Sequence, residues 1–448
     1  MVKARAAALT IAISGAAASA GCAEPKAPPS TEGAHPDAAT TVGSVAEPAP
    51  SQAARPVTAS PDEARGREST TVDAAAPAAP SAREADDFTL RLFGALRKTP
   101  GNLLFSGTSL RTALGVTYLG ARGETAREMA GALSFPADAA AAAASAKEEG
   151  AAWEAAKGKA QLVVASRAWI EKTMNVDARY AALAEDAYGA SPAPLDFLSK
   201  PEDGRRAINA WVASKTAEKI VDLVPSGAID KSTRLVVTNA IYFKGRWALP
   251  FEASATKDEP FESAPSKKTN VKTMHTTDTF AFTETPDVKL VELRYEGSEL
   301  AMTIVLPKDR AGLAKVEEKL DVATLEAWRK SLTRRRVALS LPRFTFRNGG
   351  SMTAPLRAMG MRAAFTRGAD FSGITTEKIE IGEVLQKTFI AVDENGTEAA
   401  AASGVIMRTT SMPMGEVAEL KADHPFLFFV HDVKKGAIVF AGRVTEPK

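Results

Sequence analysis

The spacing of apolar residues changes from helical to strand-like along this chain, and this change constrains the fold most. In ADDFTLRLFGALRKT, Phe88, Leu92 and Leu96 recur at the spacing of one helix face. Three further segments are predicted helices, namely SLRTALGVTYLG, DGRRAINAWVASKTAEKIVDLVP up to Pro225, and GLAKVEEKLDVATLEAWRKSL. Strand-like segments dominate the second half, including RLVVTNAIYFKGRW, ELAMTIVLP, VALSLPRFTF, HPFLFFVHD and AIVFAGRV. Because helices come first and strands later, the predicted fold is mixed α+β.

Residues 1–21 have the organisation of a secretory signal peptide. Lys3 and Arg5 precede an apolar run that is too short for a comfortable membrane span, and small residues follow it. The segment ends in SAGC, which is similar to a bacterial lipobox, although the usual leucine is Ser19 here. We therefore expect lipidation of Cys22, the single cysteine, and an exported protein anchored in the cell envelope. The alternative is cleavage after Ala20, which would give a secreted, extracellular protein with a spare thiol.

Residues 22–84 consist largely of Ala, Pro, Ser, Thr and Glu, with almost no large apolar side chains. Such a segment cannot bury enough surface to offset the entropy of ordering it. It is predicted to be a disordered tether that holds a folded domain, residues 85–448, away from a membrane.

The formal net charge of the whole chain, +2, indicates no nucleic-acid partner.

The residues that could carry catalysis form no recognisable constellation. The chain lacks GxGxxG, P-loop, HExxH and GxSxG motifs, and one SxxK match, at Ser254 and Lys257, has the loop-like context of a chance match. His424 and His431 are predicted to be ordinary structural histidines, and Arg334 to Arg336 a solvated turn before a strand. We therefore expect no enzyme activity, no metal and no cofactor.

The segment GTEAAAASGVIMRTTSMP, residues 396–413, lies between two strand signals and is suited to becoming a strand itself. In an extended chain, both charges, Glu398 and Arg408, fall on one face. The other face is small at its start and uncharged throughout; it comprises Thr397, Ala399, Ala401, Ser403, Val405, Met407 and Thr409. Small residues can enter a packed sheet without overpacking or charge burial. The alternative is a helical connector built on the alanines.

Five motifs, in order, resemble the serpin family across the whole folded part. They are NLLFSGTSL with LGARGET, TNAIYFKGRW, MGMRAAF with DFSGI, VDENGTEAAAA, and ADHPFLFFVHD. The resemblance implies the α+β serpin fold, with three β-sheets, eight or nine helices and an exposed reactive loop. It also implies a suicide-type inhibitor of serine proteases, monomeric, in which the loop is attacked as a substrate. The cleaved loop then inserts into the main sheet and traps the acyl-enzyme.

The resemblance carries over to named positions. The family's spacing from Thr397 places the reactive bond between Thr410 and Ser411, with Met407 and Arg408 as alternative positions. A Thr–Ser bond favours an elastase-like or subtilisin-like target, whereas Arg408 would favour a trypsin-like one. The implied hinge comprises Glu394, Gly396, Thr397, Glu398, Ala399, Ala400, Ala401 and Ala402. The implied sheet-opening cluster comprises Ser106, Ser109, Asn239 and Gln386, with Trp247 near the point of insertion.

Two positions depart from the family pattern. Gly107 stands where proline is usual, and Gln386 replaces a histidine. Glutamine can form hydrogen bonds but cannot become charged, so the departures concern the control of loop insertion more than the fold. The alternatives that remain are a non-inhibitory serpin with a binding or chaperone-like role, which usually has a bulky or charged hinge, and an inhibitor of a cysteine protease.

Overall fold

The computed structural model describes residues 80–397 and 416–448. The expected signal peptide, Cys22 and most of the tether lie outside the described residues. So do the hinge residues from Glu398 onward and the reactive positions Met407, Arg408, Thr410 and Ser411. These assignments stay predictions.

Nine α-helices lie in the described residues, six of them before residue 216. They are α1 (Pro80–Leu96), α2 (Gly107–Tyr118), α3 (Gly123–Leu133), α4 (Ala139–Lys157), α5 (Ala178–Tyr188), α6 (Pro201–Lys215), α7 (Leu313–Glu318), α8 (Val322–Ser331) and α9 (Thr353–Ala358). Side-chain caps begin several of them: Ser106 accepts from the N–H of Ser109 in α2, and Asp177 accepts from two N–H groups of α5. The first helix begins at Pro80, whereas the apolar spacing predicted that the folded part begins near residue 85.

Fifteen strands complete the described part. They are β1 (Leu103–Phe105), β2 (Gln161–Glu171), β3 (Ala193–Leu195), β4 (Leu235–Arg246), β5 (Lys257–Ala264), β6 (Lys267–Glu284), β7 (Val288–Arg294), β8 (Leu300–Pro307), β9 (Thr333–Pro342), β10 (Phe344–Ser351), β11 (Ile381–Asp393), β12 (Gly396–Thr397), β13 (Ala418–Lys421), β14 (Phe426–Asp432) and β15 (Ile438–Val444). The mixed α+β prediction is confirmed.

Three local predictions were wrong. The helix expected to reach Pro225 ends at Lys215, because Ala217 and Glu218 have φ values of 48° and 59° and turn the chain. The helix expected across GLAKVEEKLDVATLEAWRKSL is two helices, since the side chain of Asp321 caps a new one, α8. Arg334 to Arg336 lie within β9 instead of a turn before it.

The strands form two hydrogen-bonded networks. Six strands, in the order β10-β11-β12-β4-β2-β3, form what we call the main sheet. The other nine run β1-β15-β14-β8-β7-β6-β9-β13, with β5 paired to β6. This network divides at β6, where residues 273–282 pair with β9 but residues 281–284 pair with β7. Its two parts and the main sheet account for the three expected sheets.

The main sheet is covered on both faces. On its inner face, Ile241 and Phe243 of β4 belong to a core shared with β7, β8 and β14. On its outer face, Ile208 and Val212 of α6 pack with Phe389 and with other residues of β4 and β11. Any strand added to the main sheet would therefore meet a packed interior on one side and α6 on the other.

Candidate functional site

The main sheet contains a parallel pair of strands with a wedge-shaped opening at one end. β11 and β4 pair in parallel from Ile381 opposite Leu235 to Phe389 opposite Tyr242. Beyond that point they separate, and β12 lies between them, antiparallel to both. Thr397 of β12 is opposite Gly245 of β4 on one side and Val392 of β11 on the other. The start of the alanine-rich segment is thus already seated as a short strand between β11 and β4.

Three of the predicted hinge residues are buried where this strand begins, namely Glu394, Gly396 and Thr397. The hydroxyl of Thr397 lies 2.8 Å from that of Tyr295, in the interior of the molecule. Gly396 has a φ of 150°, and a Cβ there would lie 2.0 Å from the carbonyl oxygen of Gly245. Only glycine fits this close approach, so the turn into β12 depends on it.

Glu394 also stabilises the turn that leads into β12. Its carboxylate accepts hydrogen bonds from Arg343, at 2.8 Å from Nε, and from the hydroxyl of Thr256. Burial alone would raise the pKa of Glu394, but these hydrogen bonds outweigh it and lower the pKa below the ordinary value. The charged carboxylate therefore fixes the β11–β12 turn against the segment that leads into β5.

Trp247 lies directly behind the point where β11 and β4 separate. Its indole is stacked on Tyr295 at 4.6 Å and donates from Nε1 to the carbonyl of Asp393 at 3.0 Å. Its own N–H donates to the carbonyl of Asn395. Trp247 thus supports the turn that leads into β12. The polar residues grouped with it from the sequence lie elsewhere: Asn239 is further back along β4, Gln386 is on β11, and Ser106 and Ser109 are at the start of α2.

Those polar residues, Ser106, Ser109, Asn239 and Gln386, do meet, and we call them the polar cluster. Gln386 and Asn239 are opposite each other on β11 and β4, and Gln386 Nε2 donates to Asn239 Oδ1 at 2.6 Å. Gln386 also exchanges two hydrogen bonds with the backbone of Ser106. Asn239 Nδ2 donates to the hydroxyls of Ser109, at 2.5 Å, and Ser166, at 2.6 Å. The cluster therefore joins the two strands and ties both to α2.

Gly107, one of the two departures from the family pattern, has a steric cause. A Cβ at this position would lie 2.2 Å from Oγ1 and 2.8 Å from Cα of Thr89. The hydroxyl of Thr89 donates to the carbonyl of Ala85 within α1. Because α1 approaches the start of α2 this closely, the usual proline would not fit here without a shift of α1.

Sequence reasoning missed Tyr295, Arg343 and Ser166, although each contacts a predicted site residue. No pattern in the neighbouring sequence marks Ser166 as a site residue, because it stands in a strand of average polarity. Tyr295 and Arg343 lie far from the hinge along the chain, and only the fold brings them to it. Tyr295 directly follows β7 and forms an isolated bridge with Trp247, and this contact could have been found only by knowing the sheet register.

The other residues that the sequence singled out take no part in this site. His424 Nε2 lies 2.7 Å from the carbonyl oxygen of Pro307, and His431 Nε2 lies 2.8 Å from the hydroxyl of Thr303. Ser254 lies in a short 3₁₀ turn and Lys257 begins β5.

Within residues 80–397 and 416–448, no group of three His, Cys, Asp or Glu residues could hold a metal ion. In the same ranges, no helix is long and apolar enough to cross a membrane.

Comparison with known sequences identifies one protein family. The family model described as "Serpin (serine protease inhibitor)" matches residues 83–447. The leukocyte elastase inhibitor of Bos taurus is 37% identical over 363 residues, which cover 78% of this chain and 93% of that protein. An uncharacterized serpin-like protein of Thermococcus kodakarensis is 37% identical over 377 residues, covering 81% of this chain and 85% of that protein.

Solved structures agree with the sequence comparison. Serpin48 of Tenebrio molitor superposes with a TM-score of 0.74 at 30% identity, covering 82% of this chain and 98% of that one. Human thyroxine-binding globulin, solved in complex with thyroxine, gives a TM-score of 0.75 at 24% identity, which supports the fold alone. The architecture, the seated hinge and the relatives lead to one conclusion: the chain belongs to the serpin family.

Proposed function

We propose that this serpin is a suicide-type inhibitor of serine proteases, acting by insertion of its cleaved loop between β11 and β4. The observation that carries the proposal is β12, in which Thr397 is already paired with both flanking strands. A loop that continued this pairing after cleavage would become the central strand of the main sheet.

The register of β12 defines how such a strand would fit. Six residues beyond Thr397, Ser403 would lie opposite Asn239, six before Gly245, and opposite Gln386, six before Val392. A serine there could bond to the two cluster residues that its arrival separates. Because Thr397 points to the interior, alternate residues from Ala399 to Thr409 would do so as well, and Glu398 and Arg408 would face α6.

Energetics support insertion as a spontaneous step. About a dozen newly paired backbone positions, at roughly 1 kcal/mol net each, give on the order of 10 kcal/mol. Burial of Val405 and Met407 would add about 2–5 kcal/mol. The uncleaved protein is then a metastable fold, kept in place by kinetics with the loop outside the sheet.

The reactive bond we propose is Thr410–Ser411, and the target class is a protease with a small primary pocket, elastase-like or subtilisin-like. The similarity to a protein named leukocyte elastase inhibitor supports that class. Cleavage after Arg408 or Met407 would instead indicate that the register counted from Thr397 has slipped, and cleavage after Arg408 would indicate a trypsin-like target.

Denaturing gels test the proposal directly. The protein is incubated with elastase, subtilisin, trypsin, chymotrypsin and, as a cysteine protease, papain, and the products are separated. We expect an adduct that survives denaturation with elastase or subtilisin, and mass spectrometry of the released C-terminal peptide should give Ser411 as its first residue. Loop cleavage with full recovery of every protease would contradict inhibition and indicate a non-inhibitory binding or chaperone-like serpin.

We further propose that residues 1–21 direct export, that Cys22 carries a lipid anchor and that residues 22–79, which precede α1, act as a tether. The position of the single cysteine directly after SAG supports this arrangement. Expressed in a bacterium, the full chain should incorporate labelled palmitate and sediment with membranes. Cys22→Ala should abolish both properties, and a palmitate signal that persists in this variant would exclude Cys22 as the anchor.

A further inference from the structure

Asn395 and Gly396, where the turn after β11 leads into β12, are one of two Asn–Gly pairs in the chain. In such a pair, the backbone nitrogen of the glycine can attack the side-chain amide of the asparagine, because no Cβ shields that nitrogen. The other pair, Asn348 and Gly349, lies within β10. Asn348 and Asn395 are both half-buried, so the two pairs differ in backbone setting and neighbours and not in exposure.

The nitrogen that could attack Asn395 lies beside a base. The N–H of Gly396 donates to Oδ1 of Asp393 at 3.2 Å. Burial raises the pKa of Asp393, against the hydrogen bonds that its carboxylate accepts, and this makes the carboxylate a better acceptor of a proton. An amide nitrogen must lose its proton to become a nucleophile. A base that is already within hydrogen-bond distance can take that proton.

The charge that this proton loss creates is stabilised at a second atom. When an amide is deprotonated, its resonance shares the negative charge between the Gly396 nitrogen and the carbonyl oxygen of Asn395, which belong to one peptide group. That oxygen accepts a hydrogen bond from the backbone N–H of Trp247 at 2.9 Å. A fixed donor aimed at an oxygen that becomes more negative lowers the barrier, as it does in an oxyanion hole.

The side chain of Asn395 is free to meet this nitrogen, whereas Asn348 is held in a strand. Among the described residues, Asn395 forms hydrogen bonds only through its backbone. Asn348 is opposite Thr388 in the pairing of β10 with β11, and its carbonyl accepts the Thr388 hydroxyl. Closing a ring between side chain and backbone requires the residue to leave the extended conformation, and strand pairing opposes this.

We propose that Asn395 deamidates spontaneously and that this modification ends the activity of the molecule as an inhibitor. Asp393 takes the proton of the Gly396 N–H, and the nitrogen forms a bond to Cγ of Asn395. The bond from Cγ to Nδ2 breaks, and the leaving nitrogen takes up the proton and departs as ammonia, which leaves a cyclic succinimide. Water then breaks one of the two imide C–N bonds. One water is consumed, and the product is aspartate or isoaspartate at position 395.

Both products disturb the hinge between β11 and β4. Isoaspartate adds a carbon atom to the backbone ahead of Gly396, whose close approach to the carbonyl of Gly245 leaves no room for a shift. Aspartate keeps the backbone length but adds a carboxylate directly after Asp393 and Glu394, and like charges so close repel each other. The effect rests on the proposed inhibitory function: a hinge that fits poorly inserts more slowly, and the acyl-enzyme has more time to hydrolyse.

The modification is tested first and does not require inhibition. The full chain is incubated at neutral pH and physiological temperature and digested with pepsin in acid, and the peptide masses are followed over time. The peptide with Asn395 should gain the mass difference between an amide and an acid about tenfold faster than the peptide with Asn348, which is the internal control. Equal rates at the two asparagines, or no gain at Asn395, would overturn the site.

The role of Asp393 is tested in the same digest. Asp393→Asn keeps a hydrogen-bond acceptor for the N–H of Gly396 but lacks the base, so the gain at Asn395 should slow about tenfold or more. The rate at Asn348 should not change, and circular dichroism checks that the variant is folded. An unchanged rate at Asn395 in the folded variant would overturn the role of Asp393 as the base.

The effect on inhibition is tested last, with each protein compared with its own fresh sample. After incubation, the number of inhibitor molecules consumed per protease inactivated should at least double for the wild type. It should stay constant for Asn395→Gln, because the longer side chain closes a ring far more slowly. Deamidated protein with the ratio of the fresh sample would overturn the loss of inhibition and leave the modification. If no protease forms an adduct, the proposed function has failed, and the peptide masses still decide whether Asn395 deamidates.

Discussion

At the scale of single residues, Thr397 is the last described position before the loop and already occupies a strand position. Its side chain is fully buried and its hydroxyl meets that of Tyr295. A charged side chain at this place would have to lose its hydration to occupy this buried strand position, which costs far more than the hydrogen bond it replaces.

We therefore expect Thr397→Arg to convert the inhibitor into a substrate, because insertion would stop at its first step. The stoichiometry of inhibition, measured by titrating elastase or subtilisin, should rise about tenfold or more. Thr397→Ser, which keeps the hydroxyl, is the control and should behave like the wild type. Full inhibition by Thr397→Arg would show that the hinge does not enter the sheet here.

Asp86 is a second residue whose environment has a measurable consequence. Its side chain is buried beneath α8. The carboxylate accepts a hydrogen bond from the N–H of Ile438 at 2.7 Å and forms an ion pair with Arg329 at 3.1 Å. Burial raises its pKa from 3.8 to about 6, although Arg329 and the hydrogen bonds oppose the shift. The folded state thus holds the Asp86 proton more tightly than the unfolded chain does.

It follows that ionisation of Asp86 lowers the free energy of unfolding as pH rises from 3.8 to about 6, and the full loss is reached above pH 6. Asp86→Asn cannot titrate and should lack this part of the pH dependence. The free energy of unfolding of the wild type relative to the variant should fall by about 3 kcal/mol between pH 3.5 and pH 7. Urea unfolding across this range measures it, and a difference that does not vary with pH would contradict the assignment.

At the scale of elements, the parallel pairing of β11 with β4 is the contact that the proposed insertion must break. Ala240 and Lys387 are opposite each other in the middle of this pair. Neighbouring Cα atoms in a sheet lie about 5 Å apart, within reach of a disulfide. In a Cys22→Ala background, Ala240→Cys with Lys387→Cys should form adducts when reduced and be cleaved as a substrate when oxidised.

The single variant Ala240→Cys, treated identically, controls for the oxidant and for the loss of alanine. If the oxidised double variant still formed a full yield of adduct, insertion between β11 and β4 would be excluded.

Elements whose signal is local could be predicted from the sequence, and those fixed by distant contacts could not. TNAIYFKGRW is strand-like in itself, and it forms most of β4. The early end of α6 depends on two left-handed residues, Ala217 and Glu218, which carry no glycine signal. The polar cluster was predicted from family resemblance, but its links to Ser166 required the register of β2 on β4. The reactive loop lies outside the described residues, so its bond stays a prediction.

At the scale of the whole molecule, the proposed function requires that the uncleaved fold is not the most stable one available to the chain. Cleavage of the loop between residues 398 and 415 should release it into the main sheet and add backbone pairing along both β11 and β4. We expect the thermal midpoint to rise by tens of degrees after limited proteolysis, since β11 and β4 pair directly with each other before the loop is released.

Differential scanning calorimetry before and after cleavage measures this rise. Protein nicked in the region of residues 22–84 is the control and should melt with the intact form. Equal midpoints for loop-cleaved and intact protein would place this chain among serpins that do not insert.

The seating of β12 at one end of the β11–β4 pair also determines how the sheet can yield. In the proposed insertion, β11 and β4 would part progressively from the end beside Trp247, starting at Phe389 and Tyr242 and ending at Ile381 and Leu235. Each pair of residues that opened would then be replaced at once by pairing with the advancing loop, so few backbone hydrogen bonds would be missing at any moment. Gln386 and Asn239 lie about halfway along this pair, so we expect the release of the hydrogen bond between them to limit the rate of insertion.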